Sequence, residues 1–67
     1  MIIYKNILGK LKNSGYPSTR LRREKIISES TLTNIRQGKP ITLETIDIIC
    51  KITGLAISDI IEYKEAE

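Results

Sequence analysis

Gly15, Gly38 and Gly54, with Pro17 and Pro40 each two residues beyond the first two, cut this 67-residue chain into pieces too short for any long helix. Proline has no N–H to continue a helix, and glycine readily takes the left-handed backbone that ends one. The chain must therefore build its core from several short elements. A chain of this length buries only about 60% of its unfolded surface, which allows one domain with one modest core and makes a large catalytic cleft improbable. Its apolar positions are mostly Ile and Leu, without Trp or Phe, which suits compact helix packing and disfavours binding of unpaired bases on stacked aromatics.

The pieces read as helices. Tyr4, Ile7, Leu8 and Leu11 fall at i, i+3, i+4 and i+7, one stripe of a helix over about 4–13 that Gly15 can end. Beyond Pro17 a second helix is expected over roughly 18–25. Ile26-Ile27-Ser28 separates it from a third, over 29–37, with Ser28 as N-cap, Leu32 and Ile35 as the inward pair and Gly38 as the stop. Gly38-Lys39-Pro40 is a loop. Thr42 caps a fourth helix over 43–53 whose Leu43, Ile46, Ile49, Cys50 and Thr53 share one broad face. Ser58, Asp59 and Ile60-Ile61 read as a last short helix over 59–62, its acid near the positive end. Met1-Ile2-Ile3 and Ile61-Glu62-Tyr63 are too short for helices; as extended segments they would pair with each other or with a second chain. The core spans about 4–63, and 64–67 is expected to fray. No internal repeat, low-complexity stretch or linker is visible.

Charge is distributed unevenly. Residues 1–25 carry seven basic side chains against Glu24, 26–40 carry Arg36 and Lys39 against Glu29, and 41–67 carry Lys51 and Lys64 against six acids, balances of +6, +1 and −4. A basic first half and an acidic tail imply one side facing a polyanion, against the plainer reading of an ordinary solvated surface. Cys50 cannot form an internal disulfide, and without His there is no metal cluster to expect, no cofactor, and no base to activate a nucleophile, so the chain is not expected to be an enzyme. On the apolar face of the fourth helix, Cys50 reads as a buried, inert thiol. The start of the chain has neither a secretory apolar region nor a membrane span, so a cytoplasmic, membrane-free setting is expected.

From Leu21 to Ile35, two short amphipathic helices share one tight joint of about three residues, and the second keeps a polar, charge-poor outer face. That is the arrangement in which a helix is offered to base edges in the major groove. Leu21, the joint Ile27-Ser28, Ser30-Thr31-Leu32, Ile35, the Gly38-Lys39-Pro40 loop and the closing Gly54-Leu55, Ile57-Ser58-Asp59-Ile60-Ile61 make the chain resemble the lambda-repressor and Cro-type (Xre) helix-turn-helix proteins, in particular small stand-alone ones, from Tyr4 to Tyr63. The resemblance implies an all-α, five-helix lambda-repressor-like DNA-binding domain, its helix-turn-helix at helices two and three. Two positions depart from the family pattern: Arg22 stands where a small residue is common, and Ile26 where the turn commonly has glycine. A β-branched residue tolerates positive φ poorly, so a different turn or a longer second helix is expected. The stem of Arg22 can lie on apolar surface while its guanidinium reaches water or phosphate.

By resemblance, the base-reading positions fall on Glu29, Ser30, Thr33 and Asn34. Asn34 carries a donor and an acceptor that match adenine, Thr33 can set its methyl beside that of thymine, and Glu29 could accept from a cytosine amine. Glu29 has an equal alternative as an acid stabilising the helix N-terminus, and Ser30 and Thr31 as capping hydroxyls. Phosphate contacts are expected from Ser18, Thr19 and Arg20 at the start of helix two, and from Thr31, Arg36 and Lys39 around helix three. Arg23 and Lys25 read as solvated charges, and Lys5, Lys10 and Lys12 as surface residues adding a long-range, salt-screened attraction.

The expected function is sequence-specific binding of double-stranded DNA by a transcriptional regulator, most simply a repressor acting as a homodimer on a palindromic operator. The side opposite the DNA, with Ile57, Ile60, Ile61 and Tyr63, is the expected dimer surface. The alternative is a protein-binding adaptor, an antirepressor or antitoxin, on the same fold. Binding of duplex RNA is disfavoured, because its major groove does not admit a helix.

Overall fold

The computed structural model describes residues 1–65. In chain order it has β1 (Ile2–Tyr4), α1 (Ile7–Asn13), α2 (Ser18–Arg23), α3 (Glu29–Gln37), α4 (Leu43–Thr53), α5 (Ile57–Ile60) and β2 (Ile61–Tyr63). Five helices are present as expected, with a two-stranded ribbon added to them.

The ribbon settles which partner the two extended ends take. β1 and β2 pair antiparallel, Ile2 opposite Tyr63 and Tyr4 opposite Ile61. Just beyond the strands, the Lys5 N–H donates to the Ile60 carbonyl at 2.8 Å and the Lys64 N–H to the Met1 carbonyl at 2.9 Å. Lys64, expected in a fraying tail, is thus held by the first residue; residues 66 and 67 of that expectation lie outside the described residues.

Four boundaries differ from those read in the sequence. The helix expected from Tyr4 starts at Ile7, because Asn6 is left-handed with φ 53°, a conformation Asn adopts more easily than most residues. Helix two stops at Arg23 rather than at 25. Helix five begins and ends two residues early, stopping at Ile60 because Ile61 and Glu62 pair in β2; Ser58 lies inside it, and the Asp59 carboxylate reaches back to the Ala56 N–H at 3.1 Å, binding one of the free amides of the first turn. The caps at α3 and α4 are those the sequence implies. Ser28 Oγ accepts from the Thr31 N–H at 3.3 Å, and Thr42 Oγ1 from the Thr45 N–H at 3.2 Å.

Every element but the strands sends at least one side chain into a shared core: Ile7 and Leu11 from α1, Leu21 from α2, Leu32 and Ile35 from α3, Ile46 and Ile49 from α4, Ile60 from α5, with Ile27 from the joint. Each such side chain contributes about 1.5–3 kcal/mol by leaving water. Three expectations fail here. Leu43, placed on the inner face of helix four, is 80% exposed, because it sits at the very start of that helix and projects past the core. Ile60, placed on a dimer surface, is fully buried. Cys50 is half-buried against the core rather than enclosed by it.

Candidate nucleic-acid interface

α2 and α3 are separated by the five residues Glu24–Ser28, a longer joint than the three expected. Its geometry follows from how α2 ends. The Ile26 N–H donates to the Leu21 carbonyl at 2.9 Å and the Lys25 N–H to the Arg22 carbonyl at 3.2 Å, the paired bonds of a Schellman motif. That motif needs a left-handed residue, and here Lys25 supplies it with φ 56°. Ile26 is spared: it lies half-buried against the core, and Ile27 behind it is buried. The missing glycine is thus answered by moving the left-handed position to the preceding lysine, which ends the helix early.

The joint sets α3 with Leu32 and Ile35 inward. Glu29 and Ser30 are exposed at its start, while Thr31, Thr33 and Asn34 are half-buried on its flanks, so the last two are less open than an outward face would be. The Thr31 hydroxyl accepts from Ser28 Oγ at 2.8 Å and so belongs to the cap, as one of its two sequence readings had it. Ser30 Oγ lies 3.3 Å from Ser28 Oγ. The Asn34 amide has no hydrogen-bond partner among the described residues, whereas its backbone carbonyl accepts from Lys39 N–H at 2.8 Å.

The cations of the rim fall into two groups. Arg36 and Lys39 are exposed at the end of α3 and make no ion pair among the described residues. Lys39 is placed by its neighbours, since the hydroxyl of Tyr4 on β1 donates to its carbonyl. Arg20, by contrast, is engaged. Its Nε donates to Glu24 at 2.7 Å, its Nη1 to the Gly15 carbonyl at 2.8 Å, and its guanidinium carbon lies 4.3 Å from the centre of the Tyr16 ring. The Glu24 hydrogen bond, with its charge, holds this guanidinium even more firmly protonated than usual. Arg20 thus lies at the start of α2 as expected but is bound to the protein. Ser18 is half-buried and Thr19 exposed in that first turn, where Pro17 offers no side-chain cap to their N–H groups.

Sequence reasoning missed three contacts. Arg22 Nη1 lies 3.1 Å from Glu29 Oε2, bridging α2 and α3. Seven positions apart across a turn, the two have no helical spacing to betray them. Lys5 and Lys10, expected as surface residues acting only at long range, are engaged: the Lys5 ammonium donates to the Ser58 carbonyl at 3.2 Å and the Lys10 ammonium to the Asp59 carbonyl. They complement the negative, carbonyl end of α5.

Two short helices joined by a fixed turn, the second capped, polar outside and flanked by free cations, define a helix-turn-helix DNA-binding protein. More narrowly, the chain belongs to the family of the Cro/C1-type HTH DNA-binding domain, whose model matches residues 6–66. No curated protein and no solved structure matches it in the same comparisons. The family makes it a DNA-binding regulator. Among the described residues no cluster of His, Cys, Asp or Glu is arranged to hold a metal ion, and no helix is long and apolar enough to cross a membrane.

Proposed function

We propose that this protein is a repressor that binds a palindromic operator as a homodimer. α3 enters the major groove, with Glu29, Ser30, Thr33 and Asn34 at base edges, while Ser18, Thr19, Thr31, Arg36 and Lys39 lie along the phosphates. Arg20 joins them only by exchanging its Glu24 and Gly15 contacts for a phosphate. The observation that carries this reading is the unpartnered Asn34 amide on α3, with Arg36 and Lys39 free beside it. Dimerism follows from the few phosphates one such module can reach: two modules on half-sites roughly one DNA turn apart bind far more tightly without new chemistry. Selection of binding sites from random duplex DNA at about 150 mM salt tests the reading, because non-specific affinity is strongly reduced there. A two-fold consensus is the expected result, and a single half-site with no symmetry would remove the homodimer.

One observation favours a second reading, a protein-binding adaptor. Met1, Ile2, Tyr4, Pro40, Ile41, Leu43, Ile46 and Ile61 line an apolar groove of about 480 Å³ beside the ribbon. A second copy of the chain would cover it in the repressor, the same patch on each subunit. In an adaptor the groove holds a different protein, and the site selection would enrich nothing.

A further inference from the structure

The geometry points to Arg22 as a base-reading residue for guanine, held in place by Glu29. This rests on the DNA-binding reading above and reassigns Glu29 within it from a reader to a positioning residue. The guanidinium of Arg22 lies between the starts of the two helices: Nε is 3.4 Å from the Ser18 carbonyl at the head of α2, and Nη1 is 3.1 Å from the Glu29 carboxylate at the head of α3. In a helix-turn-helix the head of the second helix is the part that meets base edges. Arg22 is therefore carried to that place from the neighbouring helix. Both side chains are open, 43% exposed for Arg22 and 58% for Glu29, so the pair adds little to stability. Its effect lies in orientation.

Chemistry chooses the ligand. Beside a phosphate, a paired Arg and Glu present no net charge and the carboxylate is repelled, so the pair is a poor phosphate clamp. Arg36 and Lys39 supply that attraction instead. A base edge asks for directed donors rather than net charge. With Nε hydrogen-bonded to the Ser18 carbonyl and Nη1 in ion-pair contact with Glu29, Nη2 is unpartnered among the described residues, and the Nη1–Nη2 edge offers a planar fork. Guanine O6 and N7 are the two acceptors that such a fork fits in the major groove. The Glu29 carboxylate, in ion-pair contact with Nη1, steadies the guanidinium before DNA arrives, which lowers the cost of ordering it on binding.

The experiment uses the selected operator and a set of its single base-pair substitutions, titrated with the wild-type chain, Arg22→Ala, Arg22→Lys, Glu29→Ala, Glu29→Gln and the Arg22→Ala/Glu29→Ala double variant. Thermal unfolding of each checks that it is folded; Arg22→Ala should be, since alanine suits an exposed helical position. The wild type is expected to prefer G·C at one position in each half-site by about 10- to 100-fold. Arg22→Ala should abolish that preference while leaving the other positions and random DNA unchanged. Lysine, lacking the fork, should not restore it. Glu29→Ala should weaken preference at the same position, Glu29→Gln should retain part of it, and the double variant should lose no more than Arg22→Ala alone. Equal weakening on operator and random DNA would make Arg22 a phosphate contact and overturn the inference, as would an unchanged preference. An effect of Glu29→Ala at a different base pair would overturn its positioning role. A wild-type chain with no selected operator would overturn the repressor reading itself, and the role of Arg22 with it.

Discussion

The α2–α3 surface and the groove beside the ribbon differ in what they ask of water. On the first, hydroxyls, an amide and two free cations cover a helix whose apolar residues all point inward, so water satisfies it at little cost. On the second, Met1 and Ile2 are 64% and 56% exposed and Leu43 more so, and water gains nothing there. A ligand of the polar surface must replace good hydrogen bonds with equally good ones, which makes that surface selective and salt-sensitive. A ligand of the apolar surface gains by covering it, which makes it adhesive and tolerant of salt. One chain thus presents two surfaces whose ligands different solution conditions would separate. They are not wholly independent, because Tyr4 belongs to the groove and its hydroxyl holds the loop that carries Lys39.

The comparison collapses if the shared core is removed. Leu32→Ala, at a fully buried position on α3, should cost about 2–5 kcal/mol of stability and disable both surfaces, as urea unfolding would show. Asn34→Ala addresses the polar surface alone: a loss of about 1–3 kcal/mol on the operator, none on random DNA and no change in unfolding, read by fluorescence anisotropy. Equal loss on both DNAs would end its assignment to a base. Lys39→Ala, in contrast, should weaken both DNAs and reduce the salt slope by about 1. Leu43→Asp addresses the apolar surface. It should weaken self-association about tenfold in sedimentation, with single half-site binding intact. Dimers of unchanged strength would move the proposed interface elsewhere. The smallest expected effect is at the joint: Lys25→Gly should stabilise the chain by about 1 kcal/mol by relieving the left-handed lysine, and leave both surfaces unchanged.

The two regions also differ in how legible they are in the sequence. Leu21, Ile27, Leu32 and Ile35 declare the helix-turn-helix because their spacing is local, and Ser28 and Thr42 declare their caps for the same reason. The outward polar positions of α3 follow by subtraction. The groove was not legible, since it is assembled from β1, the loop after α3, the start of α4 and β2, and no periodicity links segments so far apart. Leu43 illustrates the failure: its helical phase places it inward, but its position at the end of the helix exposes it. The joint lay between these cases. Ile26 announced that a glycine was missing, yet nothing in the residue types said that Lys25 would take its place, because the hydrogen bonds ending α2 fix that choice. Arg22 and Glu29 met for the same reason, across a turn whose shape had to be known first.

The pairing of Ile2 with Tyr63 has a kinetic consequence. Helical turns close over a few residues, whereas this ribbon joins opposite ends of the chain, so its loop-closure entropy is the largest in the fold. The helices are therefore expected to dock first and the ribbon to zip onto a formed core. In the folded protein the reverse order is expected: the ribbon opens first, and each opening frees Tyr4 from the loop of Lys39. Hydrogen exchange would register this as earlier loss of protection at the Lys5 amide than at the amide of Ile49.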